Sequence, residues 1–369
     1  MNSSPSRVNP FLGLPPQPPQ PQSQNHHRHH YRRHSYSTTR AVTCSSALED
    51  TISCSRTAAQ DDIGTVSTTP FRVHNTISTG LMDYRKSWAW QHLLLNRRLA
   101  ARRNGTTARV GGDLDDDDDD DEDVVLLFEH EPVYTLGRGA DENHLTFLRP
   151  DDTERRQALS RKNRGGARLS IDRQRQSVPF ARNNNQERTT WPDEMAVAQL
   201  ARMASPTVLA PNGAPIYRVE RGGEVTWHGP GQLVVYPLMD LKRRPFKDDL
   251  HWFLRQVEHI IIATLREYDI KGVRDEINTG VWVDGHKIAA VGVAASRWIT
   301  THGFALNVHP DLHYFDTSVI MPCGVEERGV TSLQRVLQAR GETDIPTVAQ
   351  VADVVLEKME EVFGITRST

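Results

Sequence analysis

The chain has 369 residues, 44 Lys and Arg against 47 Asp and Glu, a formal net charge of -3 and three cysteines. That balance leaves no basic excess of the kind nucleic-acid binding exploits, and no run approaches the eighteen or so apolar residues of a membrane span. Three cysteines, two of them in a polar leader, are too few for a disulfide framework and point to a reduced, intracellular enzyme.

Residues 1–48 contain no Asp or Glu but many Arg, His, Ser, Pro and Gln, and they lack an apolar signal core. This is the composition of an organellar transit peptide, so residues 1–60 are expected to be a cleavable, disordered arm. Arg40-Ala41-Val42-Thr43-Cys44 resembles a plastid processing site; a mitochondrial destination is the alternative. The Pro15–Pro21 and His26–His30 stretches leave open a metal-binding or interaction tail.

A folded catalytic domain is expected over 81–364. It opens with an amphipathic helix in which Tyr84, Trp88, Leu95 and Leu99 recur at helical spacing. The acidic stretch 111–123 is too self-repelling to bury and reads as a solvated loop; it lacks the spacers and turn glycine of a calcium loop. Val124–Phe128 resumes as a strand. Residues 150–213 are rich in Arg, Asn, Gln and Asp and are expected to be a mostly disordered insertion, interrupted by a short helix at Glu194–Met203. Strands follow at Ile216–Val219 and Leu233–Tyr236. The stripe Leu250, Phe253, Leu254, Val257, Ile260, Ile261 and Leu265 predicts a helix. Strand-like segments at Val281–Val293 and Ile299–Val308 come next. A last helix, capped by Thr347, ends at Gly364. Helices and strands mix without strict βαβ alternation, so the class is α+β with a single domain.

Between the strands lie the segments that carry chemistry. In RGGEVTWHGPGQ (Arg221 to Gln232) four glycines and a proline deny the chain a regular element and let backbone amides approach a ligand. The spacing is neither a phosphate loop nor a dinucleotide fingerprint, so no nucleotide is implied. A tight strand connection is the plain alternative. Asp284-Gly285 turns the chain into a strand that starts with Lys287; by itself, that lysine is ordinary hairpin decoration. THGFALNV (Thr301 to Val308) places His302 and Gly303 at the head of another apolar strand. His302 alone reads equally as a satisfied core histidine. Finally, Cys323 in IMPCG (Ile320 to Gly324) is the lone cysteine outside the leader, a candidate nucleophile or a buried structural thiol.

Taken together with EHEPVYTLGR (Glu129 to Arg138) and GVWVDGHKIAAVGV (Gly280 to Val293), these motifs resemble one family: the lipoyl(octanoyl) transferases of lipoate assembly. SRWITTHGFALNV and DLHWFLRQVE resemble the plastid members most. The resemblance implies a biotin/lipoate protein ligase-like fold, mixed β-sheets flanked by helices. It also implies that Cys323 is the acyl-accepting nucleophile and Lys287 its activating partner. The acyl pocket would be lined by Arg221, Gly222, Gly223, Glu224, Val225, Thr226, Trp227 and His228, with Ala290, Val291, Gly292, Gly303, Phe304 and Ala305. No metal or cofactor is implied. The implied donor is octanoyl-acyl carrier protein. The implied acceptors are lipoyl domains of 2-oxoacid dehydrogenase complexes or the glycine-cleavage carrier protein, with no nucleic-acid or membrane partner.

Two features depart from the family pattern: Trp227 stands where tyrosine is usual, which would narrow the pocket, and the insertion is unusually long. The chemistry is coherent, since a free thiol with a pKa near 8.5 is only about 3 per cent thiolate at neutral pH and a nearby ammonium raises that share. Two rival readings are an ATP-dependent lipoate- or biotin-type ligase and a non-catalytic scaffold for acyl carrier protein. Neither explains why a lysine and a cysteine stand together on these motifs.

Overall fold

The structure, a computed structural model, describes residues 70–103, 122–157, 194–204, 208–276, 278–321 and 328–368. The expected arm 1–60, most of the acidic stretch, the middle of the insertion at 158–193 and Cys323 lie outside the described residues.

An eight-stranded mixed sheet forms the centre. Its strands, in chain order, are β1 (Pro70–Asn75), β2 (Asp123–Phe128), β7 (Gln232–Leu238), β8 (Val273–Arg274), β9 (Val281–Val283), β10 (His286–Ser296), β11 (Ile299–Asn307) and β12 (Thr366–Arg367). They stand in the order β12-β1-β2-β7-β11-β10-β9-β8. β1 runs parallel to both its neighbours, and the other pairings are antiparallel. A smaller sheet has the order β4-β5-β3-β6, built from β3 (Val133–Leu136), β4 (Val208–Leu209), β5 (Pro215–Arg218) and β6 (Val225–His228).

Helices cover the large sheet because their apolar stripes need a partner. α3 (Leu250–Arg266) buries Phe253, Val257, Ile260, Ile261 and Leu265, and α5 (Val348–Phe363) buries Val351, Val355 and Met359, in one core with Leu233, Val235 and Leu306 of the sheet. α3 starts where the Asp249 carboxylate accepts from the His251 and Trp252 amides, a cap worth about 1 kcal/mol. α5 starts with a reciprocal Thr347/Gln350 capping box and stops at Gly364, whose φ of 67° only glycine adopts without strain. A short helix, α4 (Leu333–Ala339), contributes Leu333 and Leu337 to the same core. On the other side α1 (Tyr84–Arg103) sets Leu94 against Leu126, Val234 and Leu238. α2 (Glu194–Met203) then buries Val197, Leu200 and Ala201 against Trp88 and Leu93 of α1.

The class is α+β, as expected, and α2 occupies the expected residues. Three expectations are corrected. Two strands fall outside the expected 81–364, β1 before it and β12 after it: β12 has only two residues, and β1 buries only Phe71 fully, so neither carries a periodic signal. Asp123 is not part of a solvated loop. It opens β2 at 2% exposure, pairs with Arg98 Nη2 at 2.6 Å and accepts from the Asp240 amide at 2.8 Å. A carboxylate so partnered can be buried where its acidic neighbours in sequence cannot. Lastly, the insertion as delimited, 150–213, includes α2, which packs into the core, and β4, which pairs with β5.

Candidate active site

A cavity of about 350 Å³ lies where the loop Arg221–Glu224 crosses strands β10 and β11. Its floor is built from small side chains in register. Ala290 pairs with Ala305, which pairs with Val234 of β7, and Gly292 pairs with Gly303. Any larger residue here would fill the space that a ligand needs. The loop sits directly on this floor, as the Gly222 amide donates to the Val293 carbonyl at 3.0 Å and a Cβ on Gly292 would come within 2.9 Å of the Gly222 carbonyl oxygen.

Arg221 holds the loop against the small sheet. Its guanidinium donates to the Thr135 carbonyl at 2.7 Å, to the Thr135 hydroxyl at 2.8 Å and to the Gly222 carbonyl at 3.0 Å. Arg221 is therefore a strut of the cavity wall. Glu224 accepts from the Asp141 amide at 3.2 Å and lies 2.9 Å from His144 Nδ1. Gly137 lets the two segments touch, for a Cβ there would lie 2.1 Å from the Gly223 oxygen.

His228 lies 2.7 Å from Gln232 Oε1 through Nδ1 and 3.3 Å from the Thr135 hydroxyl through Nε2. Burial pushes its pKa well below the usual imidazole value, so the ring is neutral at pH 7. Gln232 Nε2 donates to Asn307 Oδ1 at 2.9 Å, and Asn307 Nδ2 donates to the Thr331 carbonyl at 2.9 Å. The Thr331 amide in turn donates to the Lys287 carbonyl at 3.0 Å. A buried polar chain therefore links the inner wall of the cavity to the lysine's backbone.

Lys287 lines the cavity at 6% exposure, and its Nζ donates to the Thr279 carbonyl at 3.1 Å. The register of β10 slips between Lys287 and Ala289, and a one-residue slip reverses which face a side chain takes. The slip frees Lys287 from the alternation that carries Val291 and Val293 into the core under α3. Asp284 and Gly285 both have positive φ, as a two-residue hairpin turn requires, and deliver the strand to this position. Cys323 lies outside the described residues, but the chain is pinned on either side of it. The Met321 amide donates to the His144 carbonyl at 2.7 Å, and Gly329 accepts from the Lys287 amide at 3.0 Å.

Of the residues expected in the pocket, Arg221 to Thr226, His228, Ala290 to Gly292 and Gly303 to Ala305 all line the cavity, together with Lys287. Trp227 does not line it. As β6 alternates, its ring turns into the core of the small sheet, fully buried, stacked on Tyr314 at 4.6 Å and covering Gly229. The tyrosine-to-tryptophan difference therefore alters that core, and the expected narrowing does not occur through Trp227.

Residues not expected at the site are Tyr84, Val234, Tyr236, Leu250, Leu254, Asn278, Thr279 and Val293. His302, left as a possible core residue, also lines the cavity. Its backbone has φ 58°, and its amide donates to Gln91 Oε1 at 2.8 Å. Its Nε2 lies 3.6 Å from the Glu220 carboxylate. Burial pushes the His302 pKa down, with Glu220 pulling it back in part. Among the described residues no cluster of three or more His, Cys, Asp or Glu could hold a metal ion, and no helix is long and apolar enough to cross a membrane.

Cavity, small-residue floor and buried lysine define a class. Residues 197–360 match the family model of the lipoyl protein ligase A/B catalytic domain. An octanoyltransferase of Gloeobacter violaceus is 35% identical over 289 residues, covering 78% of this chain and 90% of that protein. One of Synechococcus elongatus is 38% identical over 257 residues, covering 70% of this chain and 76% of that protein. The chain belongs to the octanoyltransferase family, and it is an acyltransferase. A crystal structure of lipoate-protein ligase A bound with ATP superposes with a TM-score of 0.44 at 14% identity, covering 81% of this chain and 87% of that one, too distant a likeness to carry an argument.

Proposed function

We propose that this enzyme moves an octanoyl group from octanoyl-acyl carrier protein to a lysine of a lipoyl domain through an acyl-thioester on Cys323. The observation that carries the reading is the meeting of Lys287, which lines the cavity, with the chain that returns from the cysteine segment at Gly329 and Thr331. The Cys323 thiolate attacks the thioester carbonyl of the donor, and the carrier's thiol leaves with a proton. The acceptor lysine amine then attacks the new thioester, Cys323 leaves as thiolate, and the amine gives up a proton. The first exchange trades one thioester for another at nearly balanced free energy, and amide formation drives the second. The reaction needs no ATP, which separates it from a ligase.

Lys287 acts in the resting enzyme as a fixed positive charge that favours the thiolate. The small-residue floor formed by Ala290, Gly292, Gly303 and Ala305 takes the acyl chain, whose volume is well within 350 Å³. The acceptor belongs to a 2-oxoacid dehydrogenase complex or the glycine-cleavage system. Incubation with octanoyl-acyl carrier protein in the absence of ATP, followed by intact-protein mass, tests the proposal; an octanoyl adduct is expected.

The enzyme's proposed destination is the plastid. The acid-free leader supports this, and so do relatives from cyanobacteria. Residues 1–60 fused to a fluorescent reporter are expected to direct it to plastids. Signal confined to mitochondria or cytosol would exclude that destination.

A further inference from the structure

We propose that Trp282 is a positioning residue. It is an aromatic post that fixes the Lys287 ammonium and ties it to the chain segment returning from the cysteine. The proposal rests on the roles given above to Lys287 and Cys323.

Trp282 lies on β9 directly across from Lys287, at 3% exposure. The Lys287 ammonium sits 4.8 Å from the centre of its indole. The guanidinium of Arg328, the first described residue after the cysteine segment, sits 5.2 Å from the same ring. Both distances are within reach of a cation-π attraction, for which tryptophan is the best partner. The same guanidinium is held by an ion pair with Asp275, whose second carboxylate oxygen accepts from the Asn278 amide at 2.8 Å. The indole Nε1 donates to the Asn278 carbonyl at 3.4 Å, which fixes the ring to the same turn.

That turn also supplies the Thr279 carbonyl for Lys287 Nζ and the room for its stem. Gly280 has φ 133°, and a Cβ there would lie 3.3 Å from Lys287 Cε, 3.5 Å from Nζ and 2.6 Å from the Ala289 oxygen. Two backbone hydrogen bonds, Lys287 to Gly329 and Thr331 to Lys287, complete the splice. A lysine ammonium is a compact charge on a flexible four-carbon stem, so it helps a neighbouring thiolate only if something holds its position. Here a ring, a carbonyl and a glycine do so. The ring also carries Arg328, so movement of the lysine and of the returning segment is linked through one side chain.

The test uses the full chain with Cys44 and Cys54 changed to Ser, which leaves Cys323 as the sole thiol. Iodoacetamide alkylation is followed against pH in the parent, Trp282→Leu and Trp282→Phe, with thermal melting of each. In Trp282→Leu the thiol titration is expected to move up by about one pH unit, and alkylation at pH 7 to slow about tenfold. Trp282→Phe, which keeps an aromatic face, is expected to recover most of both. An unmoved titration in Trp282→Leu, or equal impairment in Trp282→Phe, overturns the proposal. Should Trp282→Leu fail to fold, Arg328→Gln decides by the same readout, and an unchanged titration with unchanged transfer overturns it. Cys323→Ala separates the two levels: retained transfer there refutes the site reading, whereas loss of transfer with an unmoved Trp282→Leu titration refutes only the role of Trp282.

Discussion

A buried ammonium needs a reason to be where it is, and among the described residues Lys287, at 6% exposure, is met by the Thr279 carbonyl and the Trp282 ring and by no carboxylate. A structural lysine would pair with an acid. With none among the described residues, the charge of Lys287 is available to a ligand or a neighbouring thiolate in the proposed reaction. Lys287→Ala is expected to raise the Cys323 titration by about one pH unit and slow acylation about tenfold or more, as loss of one adjacent cation does. Lys287→Arg divides two roles, since it keeps the charge but cannot act as a base at neutral pH. Near-parental alkylation with lost transfer identifies the lysine as a proton carrier in the second step, whereas normal acylation and transfer in Lys287→Ala removes it from the mechanism. At this scale the sequence was legible where residues act from contiguous motifs: Arg221 to Thr226, Ala290 to Gly292 and Gly303 to Ala305 fall where expected. It was illegible where packing across long separations decides. Tyr84 reaches the cavity from the first turn of α1, Thr279 receives the lysine on its backbone carbonyl, and the direction of Trp227 depends on the alternation of β6.

Among the elements, α2 shows how far composition can be trusted. Its polar surroundings in sequence suggested an insertion without a core, yet Val197, Leu200 and Ala201 pack on Trp88 and Leu93, and helix α1 carries Tyr84 to the cavity and braces His302 through Gln91. The periodicity of those three residues was readable; the surface that receives them was not. Two deletions follow from this. Removing 158–193, whose composition offers little apolar surface to bury, is expected to leave transfer within a few-fold of the parent. Extending the deletion through 204 uncovers Trp88 and Leu93 and is expected to lower the melting temperature by several degrees, consistent with losing about 2 kcal/mol or more from three buried side chains. Equal melting temperatures for the two deletions would show that α2 contributes nothing to the core. β1 and β12 were missed for the opposite reason. β12 is a two-residue edge strand, and β1 commits only Phe71 fully to the core, which leaves little pattern in the side chains.

Across the described residues, two sheets and the helices packed on them bring one lysine and one glycine-rich loop to a cavity, and the chain that returns from the cysteine segment pairs with the backbone of that lysine. Strands β10 and β11 supply its floor, β9 the proposed aromatic post beside Lys287, and the small sheet anchors the loop through Thr135 and Arg221. Fold class and family were readable because these motifs recur in a fixed order; the cavity itself depends on contacts between segments far apart in the chain, such as Arg221 with Thr135 and His302 with Gln91. The central claim is that Cys323 carries the acyl group between donor and acceptor. Its most direct test is the intact mass of the protein after mixing with octanoyl-acyl carrier protein without ATP or acceptor. The account predicts a single octanoyl adduct, mapped to the peptide of Cys323, discharged on adding a lipoyl domain and absent in Cys323→Ala. Octanoyl transfer by Cys323→Ala at the parental rate, or a parent protein that transfers without ever carrying the adduct, would contradict it.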